Sequence, residues 1–329
     1  LSLQIGRLKA KSRKSVYSPD REKAVYERIG RQNKGPVSGE TLKAVYREIM
    51  AGSLALEKPL KIAYMGPPAS FSNIAALKKF GSSVRYVPVN SITEVFAEVE
   101  HERADYGVVP IENSIEGAVN YTLDMFMESD LKICSEISLE ISHNLLAKCK
   151  MSQIKKVYSN PQVFGQCRMW LEANLPRAEL IEVSSTTKAA EIAVKERYSA
   201  AIASLLAAER YGLNIAARSI EDSAHNMTRF LVIGKVESNP TGKDKTSIMF
   251  SLKDRIGALH DMLVPFKKYK INMTKIESRP SKKKPWEYYF FIDMLGHHED
   301  KNAKKALGEL RNVCAHVKVL GSYPVSDAA

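Results

Sequence analysis

The chain is poor in cysteine. Its 329 residues include four, Cys134, Cys149, Cys167 and Cys314, scattered and never in a C-x-x-C pair. That spacing suggests neither a zinc site nor a disulfide framework and reads as reduced, mostly buried thiols in a cytoplasmic protein. No stretch approaches the roughly 18–20 uninterrupted apolar residues of a membrane-spanning helix. Nor does the N-terminus show an apolar core followed by a small-residue cleavage site, so neither a membrane nor a secreted protein is expected. R-G-G tracts, finger spacings and aromatic-rich nucleic-acid-binding runs are absent too. Acidic side chains are in the minority, 37 against 49 Lys and Arg, leaving a net charge of +12. Such a surplus fits nucleic acid, an anionic membrane surface or small anionic substrates. Residues 1–58 hold thirteen basic and six acidic side chains, and the remaining surplus is dispersed apart from Lys282, Lys283 and Lys284. Dispersed lysines on helices are ordinarily a solvated face, which leaves small anions as the favoured partners and nucleic acid as a minor alternative.

What is present is an ordinary globular composition, 44% hydrophobic and 26% charged, in a chain long enough for two or three domains at roughly 100–200 residues each. Residues 1–57 read as helices: Ser18-Pro19-Asp20 starts one, Gly35-Pro36 breaks it, and Leu42, Val45, Tyr46, Ile49 and Met50 continue in a further helix that Ser38 can cap. This segment is too small to bury much core alone and is expected to pair with another subunit. From about 59 to 236 short apolar runs alternate with helical patterns, as a mostly parallel sheet requires. The run 132–147 is unusually long and reads as a strand crossing between two lobes. After a polar Pro/Gly linker at 237–245, the order becomes βαββαβ, the ferredoxin-like plan.

In open α/β sheets, anions gather where strands end and helix N-termini begin. Four such junctions are rich in hydroxyl and amide groups: GPPASFS at 66–72, with Ser70 and Ser72; PIENSIEG at 110–117, with Glu112, Asn113 and Ser114; SNPQ at 159–162, with Asn160 and Gln162; and SSTTK at 184–188, with Ser184 and Thr186. Each alone reads as a helix cap, but four in one domain predict a shared cleft for a carboxylate-bearing ligand. The fifth element, DSAHNMTRF at 222–230, puts Asn226, Thr228 and Arg229 on the threshold of a buried strand. Polar groups there are costly unless paired. Arg229 is a candidate bidentate carboxylate clamp, whereas a lone His225 is as often structural as catalytic.

GPPASFS, VPIENSIEG, SNPQ and NMTRF, in this order, closely resemble the prephenate dehydratase family across residues 59–236. GALH at 257–260 and ESRP at 277–280 look like an ACT regulatory domain that binds phenylalanine, and the first region is similar to the C-terminal two thirds of an all-helical chorismate mutase. The resemblance implies a multidomain α+β and α/β protein: a mutase helical segment at 1–58, a two-lobed α/β dehydratase domain at 59–240 resembling type 2 periplasmic-binding proteins, and a ferredoxin-like ACT domain at 241–329.

The resemblance also implies roles. Prephenate would lose carbon dioxide and water to give phenylpyruvate, with no metal or cofactor. Thr228 would meet the leaving hydroxyl, with His225 or Glu112 as proton sources and Asn113, Ser114, Asn226, Arg229 and Phe230 beside it, while Ser70, Ser72, Asn160, Gln162, Ser184 and Thr186 hold the carboxylates. Chorismate would meet Lys9, Arg21, Glu22, Ser53 and Glu57. Phenylalanine would bind between subunits, at Gly257, Ala258, Leu259 and His260 on one side and Asn272, Met273, Glu277, Ser278, Arg279 and Pro280 on the other. A homodimer or tetramer is expected, with no nucleic-acid or membrane partner. Ser18 stands where some relatives carry an acidic residue, and the sequence opens at what the resemblance implies is the middle or end of the family's long first helix, without the arginines expected earlier on it, which puts mutase activity of this chain in doubt. Two alternatives are a dehydratase whose helical segment serves only dimerisation, and a two-lobed anion-binding protein without catalysis.

Overall fold

The computed structural model describes residues 17–223, 225–252, 255–281 and 287–326. Lys9 and Lys282–284 lie outside them. Pro19 fixes the backbone at the first turn of α1 (Pro19–Gln32), which stops before Gly35-Pro36. Helix α2 (Gly39–Glu57) starts where the Ser38 hydroxyl accepts from the Thr41 N–H at 3.1 Å. The pair docks on the next domain within the same chain. Tyr17 is buried between the Phe80 and Tyr106 rings, 5.1 and 5.3 Å away between centroids, and Glu48 accepts from the Ser82 N–H and hydroxyl. Val45, Ile49 and Leu56 of α2 nevertheless stay about half exposed.

The first lobe runs β1 (Lys61–Met65), α3 (Phe71–Phe80), β2 (Arg85–Val89), α4 (Ile92–Glu100), β3 (Tyr106–Asn113), β4 (Gly117–Ala118), α5 (Asn120–Glu128) and β5 (Lys132–Glu140). The second lobe comprises β6 (Asn144–Ala147), β7 (Lys156–Ser159), α6 (Pro161–Gln166), α7 (Arg168–Asn174), β8 (Glu179–Glu182), α8 (Thr186–Ala193), β9 (Ser199–Ala203), α9 (Leu205–Tyr211) and β10 (Asn214–Ala217). The chain then returns as β11 (Met227–Gly234). The sheets are ordered β2-β1-β3-β11-β5, with β4 beside β3, and β10-β6-β9-β7-β8.

A mostly parallel sheet was expected, and both sheets are mixed. Only β1–β2, β1–β3, β7–β8 and β7–β9 are parallel pairs. The reason is the crossing between lobes. The run 132–147 divides into β5 of one sheet and β6 of the other, and β11 comes back between β3 and β5, antiparallel to both.

The last domain is β12 (Asp244–Leu252), α10 (Ala258–Lys268), β13 (Met273–Pro280), β14 (Tyr288–Leu295), α11 (Lys301–Val313) and β15 (Cys314–Pro324), in an antiparallel sheet ordered β13-β14-β12-β15. This is the ferredoxin-like arrangement. On one face, Ile248, Phe250, Ile292 and Met294 pack against Met262 and Phe266 of α10 and Leu307 and Leu310 of α11. On the other, Met249, Phe291, Leu320 and Tyr323 share one core with Phe126, Ile133, Leu231 and Ile233 of the first lobe. The linker is tied down: the Asp244 carboxylate accepts from the Thr241 and Gly242 N–H groups, and Lys23 of α1 reaches the Lys243 carbonyl at 2.8 Å.

β15 passes close to β5 at Gly321, where a β-carbon would lie 2.2 Å from the Ile133 carbonyl oxygen. A Gly321→Ala substitution must therefore push β15 off β5. It is expected to lower the unfolding free energy by about 1–3 kcal/mol, read as a shift of the urea midpoint; an unmoved midpoint would refute this contact.

Candidate active site

Strands β3 and β11 end side by side, with Thr228 opposite Asn113 and Arg229 opposite Glu112. Successive strand residues face opposite sides, so the Thr228–Asn113 pair and the Arg229–Glu112 pair make different contacts, hydrogen bonds for the first and ion pairs for the second. The Asn113 Oδ1 accepts the backbone N–H groups of Ile115 and Glu116, at 2.9 and 3.0 Å. An amide held in this way can only turn its NH2 in the other direction. There it donates to Asn226 Oδ1 at 2.7 Å and to Thr228 Oγ1 at 2.9 Å. Thr228 is thus an acceptor toward Asn113, and its own hydroxyl hydrogen remains to be donated elsewhere.

The same polarity runs on into the second lobe. Asn226 Nδ2 donates to Gln166 Oε1 at 2.9 Å, and Gln166 Nε2 donates to Glu116 at 3.0 Å. Gln166 Oε1 also lies 2.8 Å from His143 Nε2. An oxygen can only accept, so His143 carries its proton on Nε2. Among the described residues its Nδ1 is buried without a hydrogen-bond partner, and Phe71 meets the ring edge-on. Ser114 pins the loop before β11, donating to the His225 carbonyl at 2.8 Å and accepting from the Met227 N–H at 2.9 Å. Ser204 ties the lobes again by donating at 2.9 Å to the carbonyl of Ala69, a buried residue with φ +72 in the GPPASFS turn.

Glu112, Asn113, Ser114, His225, Thr228 and Arg229 line one cleft of about 770 Å³, together with Lys275, Ile276 and Glu277 of the ACT domain. That size falls within the roughly 300–1,000 Å³ of small-molecule sites. A second crevice of about 510 Å³ passes Phe71, Ser142, Asn144 and Ser204, with Arg47 and Lys78 supplying positive charge. No cluster of three or more His, Cys, Asp or Glu side chains placed to hold a metal occurs among the described residues.

Other residues singled out from sequence sit differently. Ser70 caps α3 and Asn160 caps α6. At α8 the cap is Ser185, and Thr186 is its first residue. Asn160 Nδ2 donates to the Ser184 carbonyl at 3.4 Å, so those two loops meet, while Gln162 and Ser184 are exposed. Ser72 is buried. Phe230 is 2% exposed and packs among Ile137, Leu139 and Val232, as an inward position in a central strand must, so it is core and does not line the cleft. Arg229 is no free clamp: its Nε, Nη1 and Nη2 meet Glu112, Glu136 and Asp293 at 2.6, 3.2 and 2.6 Å. Burial pushes the Glu112 carboxyl up, but Arg229 and Lys275 outweigh it and hold it below the ordinary carboxylate value. With a cation on each oxygen, Glu112 favours its ionised form. Gln166, His143 and Glu116 were missed; the one sequence signal was the polar pair His143-Asn144 interrupting an apolar run.

Arg21, Glu22 and Ser53 line a separate pocket of about 180 Å³ with Arg47, Met50, Lys79 and Phe80. Glu22 accepts from the Tyr17 hydroxyl and pairs with Lys79 at 2.7 Å. Glu57 ends α2 outside that lining, and Lys9 lies outside the described residues. In the ACT domain Gly257, with φ +79, opens α10, and Leu259, His260, Asn272, Ser278 and Pro280 are exposed. Ala258 begins that helix, while Met273 packs against the core beneath it. Arg279 is held by Asp124 of α5 through two nitrogens, and Glu277 lines the Thr228 cleft.

Burial of His143 lowers its pKa from the ordinary 6.5, only partly offset by Gln166 and Glu221. The unfolded chain therefore binds a proton that the folded chain refuses. The stability tied to neutral His143 is full above pH about 6.5 and is lost as pH falls toward the lower folded value. Urea titrations at stepped pH should show this decline in the native protein and a flatter profile in His143→Gln; parallel profiles would contradict it.

The prephenate dehydratase family matches residues 62–238, chorismate mutase type II residues 1–58, and the ACT domain residues 246–312. The bifunctional chorismate mutase/prephenate dehydratase of Aquifex aeolicus (strain VF5) is 52% identical, covering 98% of this chain and 91% of that protein. Among solved structures, the prephenate dehydratase of Arthrobacter aurescens in complex with L-Phe is 32% identical with a TM-score of 0.76, over 81% of this chain and 90% of that one. The prephenate dehydratase of Staphylococcus aureus subsp. aureus Mu50 is 30% identical with a TM-score of 0.71, over 80% and 100%. With its helical pair, its two-lobed domain and its ferredoxin-like sheet in the matching order, the chain belongs to the bifunctional chorismate mutase/prephenate dehydratase family.

Proposed function

We propose that the Thr228 cleft is where prephenate loses its ring hydroxyl and ring carboxylate to become phenylpyruvate. The bond from ring carbon to carboxylate breaks, its electron pair enters the ring, and the hydroxyl departs with its own pair, taking up a proton to leave as water. Aromatisation drives the reaction, so the protein's task is to hold the dianion and meet the developing hydroxide. The observation that carries this reading is the Asn113 amide, which leaves the Thr228 hydrogen as the donor. A threonine hydroxyl is a weak acid and works as a positioned donor. His225, in the same cleft, remains the side chain to relay a proton, because Glu112 favours its ionised form. The Asn160–Gln162 and Ser184–Thr186 loops and Ser70 sit at helix N-termini of the kind that favour carboxylates, but they lie outside the lining of this cleft, and no substrate carboxylate is assigned to them there.

The pocket at Arg21, Glu22 and Ser53 is assigned to chorismate, whose rearrangement needs cationic and hydrogen-bonding groups around a bent dianion. Phenylalanine is assigned to the exposed turn at Gly257 as feedback inhibitor. The apolar stripe Val45, Ile49 and Leu56 of α2 supports association with a second copy of this chain, as a homodimer or tetramer in the cytoplasm.

Thr228→Ala is expected to lower kcat for phenylpyruvate formation by about 100-fold or more with little change in KM, and Thr228→Ser to recover part of it; unaltered turnover would remove Thr228 from the reaction. Loss of chorismate absorbance measures the mutase step, and an Arg21→Ala variant at full mutase rate would reject that pocket. Gly257→Ala, strained at positive φ, should weaken inhibition by phenylalanine.

A further inference from the structure

Beneath the Thr228–Asn113 pair, six charges balance between two sheets. Arg229 of β11 engages Glu112 of β3, Glu136 of β5 and Asp293 of β14, using all three guanidinium nitrogens. Lys275 of β13 binds the other Glu112 oxygen, and Lys245 of β12 binds Glu136 at 2.8 Å. Asp293 Oδ1 accepts from Ser247 of β12. Three cations thus face three carboxylates, and the Arg229 side chain is only 12% exposed. A substrate carboxylate would have to displace one of these partners from a cluster already neutral.

We propose that Arg229 is a positioning residue, an ionic pivot through which the ACT sheet sets the place of Thr228, and not a ligand of the substrate carboxylates. The inference rests on the dehydratase reading of the cleft. The guanidinium is a rigid planar fork, so its three carboxylates do not shift independently. Its backbone neighbour is Thr228, and the backbone neighbour of Glu112 is Asn113, which holds the Thr228 hydroxyl. On the other side, β13 carries Lys275 on Glu112, Glu277 in the cleft and Arg279 on Asp124. A displacement of β13 and β14 against the dehydratase sheet must carry the pivot along or break it. Either event moves the strand ends that present Thr228. This gives an occupied effector site a physical route to the reaction, with differential contacts in its two positions.

The test uses the full chain. Arg229→Lys keeps the charge but loses the fork, and should lower kcat at least tenfold with KM for prephenate within threefold. A tenfold rise in KM at near-native kcat would show a direct substrate contact and overturn the proposal. Asp293→Asn, isosteric and still able to accept from Ser247, should raise the phenylalanine concentration for half inhibition at least tenfold; native sensitivity would overturn it. Wild-type protein that forms no phenylpyruvate would defeat the dehydratase reading itself. The pivot is then judged by amide hydrogen exchange, which needs no turnover. Phenylalanine should alter exchange at residues 227–231 in the wild type and not in Asp293→Asn, and a wild type that does not respond would overturn the pivot.

Discussion

The centre of the molecule depends on which way one side-chain amide faces. Two backbone N–H groups, of Ile115 and Glu116, fix the Asn113 oxygen. Reversing it would bring the NH2 against two donors and forfeit both bonds, at about 0.5–1.5 kcal/mol each on this exposed turn. Every later orientation follows from that one: Asn226, Gln166, then the tautomer of His143. The lobes are therefore joined by a chain of hydrogen bonds with a single allowed direction, and the Thr228 hydroxyl stands at one end of it. A tight turn after β3 decides the polarity of a site built from residues more than 100 positions apart.

The charge cluster behind that site works by a different principle. Arg229, Glu136 and Asp293 are largely removed from water, and buried ions gain little net stability once desolvation is counted. What they supply is geometry. The hydrophobic contact between Met249, Phe291, Leu320 and Tyr323 and the first-lobe core brings the two sheets together without choosing a register. The ion network and the Gly321 approach choose one. The chain's surplus of twelve positive charges plays no part there, because the cluster is locally neutral.

Local physics made most of the elements readable. Caps at Ser38, Ser70 and Asn160, the Gly35-Pro36 break and the βαββαβ rhythm each act within a few residues, and each appears where the sequence placed it. The mixed sheets were not readable, since strand direction depends on which lobe the chain is returning from, and no residue of β11 records that. The site shows the same division. Asn113, Ser114, Asn226 and Thr228 stood out as polar residues at the edge of buried strands, and they meet. The ion-pair partners of Arg229 could not be read from the sequence, because Glu136 and Asp293 lie 93 and 64 residues away. Gln166 was passed over for a similar reason, as one more polar residue on a helix until the fold brings Asn226 and His143 to it.

The two crossings between the lobes run side by side in opposite directions, and the backbone knits them: the Ile141 N–H donates to the Asn226 carbonyl and the Ile220 N–H to the His143 carbonyl, each at 2.8 Å. Two parallel tethers bonded to each other make a door hinge. Sliding one crossing along the other would break both bonds at once. The Asn226–Gln166 bond sits beside the hinge pin, and the Ser204–Ala69 bond is a second fastening across the gap.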